Sequence, residues 1–170
     1  MLRRMVVILF LTLMALVFTS CALYQPARLR LENMPQKYQQ FDLVLGWDAR
    51  VVGNQTVIEG VVKNVRYGHM YDLEIWVYVL DADGKGASHA MTFVIPSQLT
   101  MDETTEFEIK VPMEVAPGTK LRFTYKYKSD DGGGSDDNFF GIGTIRGFDW
   151  MQSFDAVMPA RSAVPPSPQH

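Results

Sequence analysis

Between Phe41 and Lys128 hydrophobic and polar residues alternate in short runs divided by turn residues. Phe41, Leu43, Leu45, Trp47 and Ala49 take one parity, and Asp42, Val44, Gly46 and Asp48 the other. A second run spans about Thr56 to Val65, after the turn signal Gly53-Asn54-Gln55. A third reaches from Leu73 to Asp81 and turns at Ala82-Asp83-Gly84-Lys85-Gly86, and a fourth covers Ser88 to Ile95 and stops at Pro96. The fifth sets Thr105, Phe107, Ile109 and Val111 against Glu106, Glu108 and Lys110. The sixth sets Leu121, Phe123, Tyr125 and Tyr127 against Arg122, Thr124, Lys126 and Lys128. Successive side chains of a strand point to opposite faces, so each run predicts a strand with one buried face. Short strands punctuated by Gly, Pro and Asp predict an all-β, antiparallel sandwich or barrel of about seven strands.

Beyond Lys128 the pattern changes. Ser129 to Asn138 carries four Asp and three consecutive Gly, the composition of a loop. An aromatic segment follows, in which Phe139 to Ile145 reads as a last strand. Trp150, Phe154 and Val157 or Met158 fall at helical spacing behind Asp149, a good N-cap, so 149–158 is expected to be a short C-terminal helix. Residues 159–170 hold four Pro and no apolar cluster, and are expected to be a disordered tail.

The amino terminus has another organisation. Arg3 and Arg4 precede Met5 to Phe18, fourteen residues in which only Thr12 is polar. That is the length of a signal-peptide core and short of the roughly 20 apolar residues that span a bilayer. The run ends at Phe18-Thr19-Ser20-Cys21, with the chain's single cysteine. This resembles the lipobox of bacterial lipoproteins, with Phe18 where that family prefers Leu. The resemblance implies removal of residues 1–20 and diacylglycerol on the Cys21 thiol. Ala22, which is not the Asp that retains such proteins at the inner membrane, implies the outer membrane. Ser20-Cys21-Ala22 also fits ordinary signal peptidase, which leaves Cys21 a free thiol. Residues 21–37 then read as a tether and 38–158 as the folded domain.

Glu59-Gly60-Val61-Val62-Lys63-Asn64, Val77-Tyr78-Val79-Leu80-Asp81-Ala82-Asp83-Gly84-Lys85 and Leu99 to Phe107 follow one another as in FxLYD-type envelope domains, which this stretch resembles. Val77, Val79 and Leu80 stand where that family carries an aromatic, Leu and Tyr. The resemblance implies an immunoglobulin-like sandwich and carries over no catalytic residue.

Composition mostly excludes. A formal charge of −3 over 170 residues argues against nucleic acid as a partner, because a phosphate-binding face is basic. Loss of residues 1–20 removes two of the sixteen basic residues and no acid, so the mature chain stands at −5. One Cys forms no internal disulfide, and His69, His89 and His170 are thin material for a metal centre. No Gly-x-Ser-x-Gly elbow or Ser–His–acid spacing is present, so the chain reads as non-enzymatic. Asp130, Asp131, Asp136 and Asp137 are candidate Ca²⁺ ligands, although three Gly interrupt them and no Glu closes the loop; the plain alternative is a solvated hairpin loop. No other cofactor is implied. The expected partner surface is aromatic: Trp76 and Tyr78 on the polar parity of their strand, with Trp150 and Phe154. Either that stripe meets an envelope protein or glycan, or the 139–158 segment covers it. These options leave a lipid-anchored binding or assembly module, a structural accessory lipoprotein without a ligand, and a Ca²⁺-binding envelope domain.

Overall fold

Nine strands and one short helix are formed by residues 27–130 and 148–160, which are those that the computed structural model describes. Helix α1 spans Ala27–Asn33, followed by β1 (Gln36–Gln39), β2 (Leu43–Val52), β3 (Gln55–Asn64), β4 (His69–Leu80), β5 (Gly86–Phe93), β6 (Gln98–Leu99), β7 (Thr104–Val111), β8 (Lys120–Asp130) and β9 (Phe148–Val157). Strands β1-β2-β3-β7 form one antiparallel sheet, and β5-β4-β8-β9 the other, with β6 paired to the start of β4. The chain crosses between sheets after β3, β6 and β7, the Greek-key order of immunoglobulin-like sandwiches.

The six alternating runs are β2, β3, β4, β5, β7 and β8, with the expected parity inside except at Phe41, which precedes β2 and is exposed. Leu43, Leu45 and Trp47 meet Val62, Ile58, Phe107 and Ile109, and behind them lie Ile75, Val77, Leu121 and Phe123 of the other sheet. Two expectations need correction. Residues 149–158 are not a helix: Phe148–Val157 is the strand β9, paired with β8 from Lys120↔Val157 to Ser129↔Phe148. Trp150 and Phe154 are four residues apart, and four is a multiple of the strand period as well as near the helical one. Gln152 and Ala156 complete the inward row. Residues 27–37 are not a bare tether either. They hold α1 and the start of β1, and the helix lies on the outer face of the first sheet with Leu31 buried. Seven residues do not sustain a helix alone. This one exists because Leu31 and Met34 close over Gly46, where an added Cβ would come within 2.8 Å of Leu31 Cδ1. The expected strand at Phe139 to Ile145 and the tail from 161 lie outside the described residues.

Polar groups fix one end of the sandwich. Asp42, fully buried, accepts hydrogen bonds from the Tyr125 hydroxyl (3.1 Å to each carboxylate oxygen), the Tyr127 hydroxyl (3.0 Å) and the Leu43 N–H (3.0 Å). It joins the β1–β2 turn of one sheet to β8 of the other. Asn64, also fully buried, donates to the Gly68 (3.0 Å) and Leu99 (2.9 Å) carbonyls and accepts from Arg66 N–H (2.9 Å). Its backbone binds Glu103 and Asp102, so one residue holds the 65–68 and 100–103 turns together.

Two outcomes are expected. At Gly60 an added Cβ would meet the Phe107 ring and come within 2.6 Å of the Gly46 carbonyl oxygen. Gly60→Ala therefore lowers the unfolding free energy by about 1–3 kcal/mol in urea titration. Burial first, then the charge of Asp42, pushes the Tyr125 and Tyr127 hydroxyls well above the ordinary pKa of 10.0; at Tyr127 a hydrogen bond with Arg66 works the other way. The folded pKa lies above the unfolded one, so this contribution is complete below about pH 10 and is lost as the pH rises beyond it. Stability measured between about pH 9 and pH 11 falls by up to about 1.4 kcal/mol per pH unit for each tyrosine, and Tyr125→Phe lowers that slope.

Candidate functional site

The outward parity of the second sheet carries its chemistry. Cross-strand pairing sets it out in rows: His89, Tyr78, Arg122 and Asp155; then Met91, Trp76, Thr124 and Ser153; then Phe93, Glu74, Lys126 and Met151. The β4–β5 half is aromatic. The Trp76 and Tyr78 rings lie 6.4 Å apart at an interplanar angle of 12°, and His89 is near-parallel to both, 6.3 Å from Trp76 and 5.7 Å from Tyr78. The Trp76 indole N–H donates to Glu74 Oε2 at 3.0 Å, which fixes the ring on its strand. Phe93 and Met151 are exposed at the border.

The β8–β9 half is polar and internally paired. Arg122 grips Asp155 through two hydrogen bonds, Nε–Oδ1 at 2.7 Å and Nη2–Oδ2 at 3.0 Å. That bond raises the guanidinium pKa and holds the Asp155 carboxyl below the usual carboxylate value. The Thr124 and Ser153 hydroxyls meet at 2.7 Å, and Lys128 reaches Asp72 at 3.1 Å. The face thus combines exposed ring surface with preset donors and acceptors, a combination that suits contact with a polar partner carrying some apolar surface.

The four aromatic residues expected on one surface divide between the two sides of the sheet. All four are half-buried, but Trp76 and Tyr78 lie on the outward face, whereas Trp150 and Phe154 pack against the core. The Phe154 ring lies 3.7 Å from that of Tyr38 at 8° and 5.0 Å from that of Phe123 at 4°, which closes the gap between edge strands β1 and β9. Trp150 meets the edge of Phe41 at 5.3 Å, and its buried indole N–H has no acceptor among the described residues. The described part of the C-terminal segment, β9, therefore does not cover the Trp76–Tyr78 stripe; it extends the same sheet two strands away. Sequence reading missed His89, Met91, Arg122 and Asp155 as members of this face. Their parity on β5, β8 and β9 was the available signal, and it needs the strand register to become a surface.

Beside this face lies a cleft of about 440 Å³ between β1 and β9, lined by Lys37, Tyr38, Trp47 and Phe154 and closed by Met158 and Pro159. Its walls are core side chains showing through the sandwich edge. Asp131, Asp136 and Asp137 lie outside the described residues, and of Asp130 only the backbone, at the end of β8, is described. Among the described residues no three His, Cys, Asp or Glu gather as metal ligands. At the Asp81–Lys85 turn the carboxylate of Asp81 accepts from the N–H groups of Asp83 (3.0 Å) and Lys85 (2.8 Å), the work of a hairpin turn.

No family model and no curated protein matches the chain. Among solved structures it is similar to the GAE domain of GGA2p from Saccharomyces cerevisiae, with 9% sequence identity and a TM-score of 0.49, over 75% of this chain and 100% of that one. The sandwich assignment stands on the strand order and pairing of the protein itself.

The division of the aromatics has a measurable consequence. Phe154→Ala opens the β1–β9 edge of the core and is expected to cost about 3 kcal/mol of stability. Trp76→Ala removes outward stacking and the hydrogen bond to Glu74 but opens no core, and is expected to cost about 1 kcal/mol. Urea unfolding monitored by circular dichroism compares the two.

Proposed function

We propose that this chain is a lipid-anchored envelope module without enzymatic activity, held to the membrane through Cys21, that binds an envelope protein or glycan on the outer face of β5-β4-β8-β9. The observation that carries the reading is the outward-facing His89–Trp76–Tyr78 ring array, in which His89 is exposed and the two larger rings are half-buried against one another and their strand neighbours. A sheet that spends three aromatic rings on its solvent side gains little stability from them, whereas a partner that covers them gains stacking area. The preset pairs Arg122–Asp155 and Thr124–Ser153 beside the rings offer hydrogen bonds at fixed positions. The anchoring part rests on the apolar run, the small residues before the single cysteine and the basic start of the chain. The alternative of a purely structural lipoprotein draws support from Trp150 and Phe154, which pack against the protein's own core.

The test uses the full chain in native membranes. Cys21→Ser is expected to move the protein from the membrane to the soluble fraction and to remove the mass of the acyl groups. Trp76→Ala with Tyr78→Ala is expected to leave the protein membrane-bound and folded while abolishing co-purification of the partner that wild type retains. Unchanged fractionation and mass of the Cys21 variant would refute the anchor. Retention of every co-purifying component by the double variant would refute the binding face.

A further inference from the structure

Three large apolar side chains stand exposed at one end of the sandwich: Phe41 at 60%, Tyr67 at 77% and Met101 at 51% of their possible area. They occupy different connections, β1–β2, β3–β4 and β6–β7, yet these meet at one place. Asp42 accepts from the Val65 N–H through its backbone carbonyl, and Asn64 binds both the 65–68 and 100–103 turns. Three connections thus present an apolar tip at the same end. The acids among them are neutralised in part, since Lys63 holds Asp102 at 2.6 Å and Lys128 holds Asp72 at 3.1 Å.

The chain also enters the domain at this end. Arg30, in α1, pairs with Glu106 near the start of β7 at 2.7 Å, and the Asp102 carboxyl, held low first by its Lys63 hydrogen bond, also feels the positive charge of Arg28. From there the helix runs inward to Gly46, in the middle of β2. Only residues 22–26 separate Cys21 from Ala27. Six Cα steps at full extension reach about 20 Å. The outer face of the second sheet lies behind the helix layer and both sheets, about as far away again. A leash of that length keeps the entry end of the domain near whatever holds Cys21.

We propose that the loop end carrying Phe41, Tyr67 and Met101 rests on the lipid bilayer to which Cys21 is joined, so that the sandwich stands on end and the ring array of β4 and β5 faces sideways, clear of the membrane. The placement rests on the anchoring reading. Tyr, Phe and Met tips at loop ends suit the headgroup region, where a ring buries its body and keeps its polar edge wet. The lipid chain holds the protein there, and the tips only orient it.

The experiment takes the lipidated full chain in vesicles of phosphatidylethanolamine and phosphatidylglycerol. Single cysteines replace Tyr67 or Met101 at the loop end, His89 on the ring array, or Asn54 in the β2–β3 turn at the opposite end, and carry a bimane fluorophore. A lipid with a nitroxide near the headgroup is expected to quench bimane at 67 and 101 and to leave 54 and 89 bright. Vesicle-bound protein with equal quenching at all four positions, or none at 67 and 101, overturns the orientation while leaving the anchor intact. Protein that fails to float with the vesicles overturns the anchor, and the orientation with it.

Discussion

A carboxylate with no access to solvent is costly unless it is fully hydrogen-bonded, and the loop end of this protein is built around satisfying one. Asp42 needs donors from both sheets at once. Tyr125 and Tyr127, two residues apart on β8, supply them side by side, with their rings near-parallel at 6° and 6.4 Å apart. That requirement fixes where the β1–β2 turn sits above the second sheet. The turn in turn places Tyr38 over Phe154 and Phe41 beside Trp150, so the edge of the core and the shape of the loop end follow from a single buried charge. Asn64, next to it in the register of β2 and β3, does the same work for the neighbouring turns with neutral groups.

The second sheet shows how the same alternation serves two purposes. Its inward rows hold the core against Leu45, Trp47 and Phe107, and its outward rows hold rings on β4–β5 and paired polar groups on β8–β9. The first sheet has no such division. Its outer face is covered in part by α1 and otherwise carries charge pairs such as Arg50–Glu59, in which the hydrogen bond from Arg50 lowers the carboxyl pKa of Glu59. Among the described residues, only the outer face of the second sheet thus carries a cluster of outward-facing rings.

Most of the strands were legible because each alternates for six residues or more, long enough for period two to stand apart from period 3.6. Segments with two readings were not. Trp150 and Phe154 satisfy both periods, and only pairing with β8 decides for a strand. Ala27 to Asn33 shows little amphipathic pattern of its own, and a sheet with a glycine at position 46 makes it a helix. The candidate face was half legible: Trp76 and Tyr78 declare themselves by parity, whereas His89 and Arg122 become their neighbours only through long-range register. Cys21 and the acidic loop from Asp131 onward lie outside the described residues, so the chemistry read there remains a matter of sequence.

The contact between Tyr38 and Phe154 joins the first strand of the described domain to the last. Between them lie 115 positions of chain, and the core edge that they close stays open until both are present. Sequence separation of this kind makes folding slow and late, since the cost of closing the loop precedes the gain from the contact. Phe154 stacks on both Tyr38 and Phe123, so the β1 edge of the core is complete only once the C-terminal strand has paired with β8.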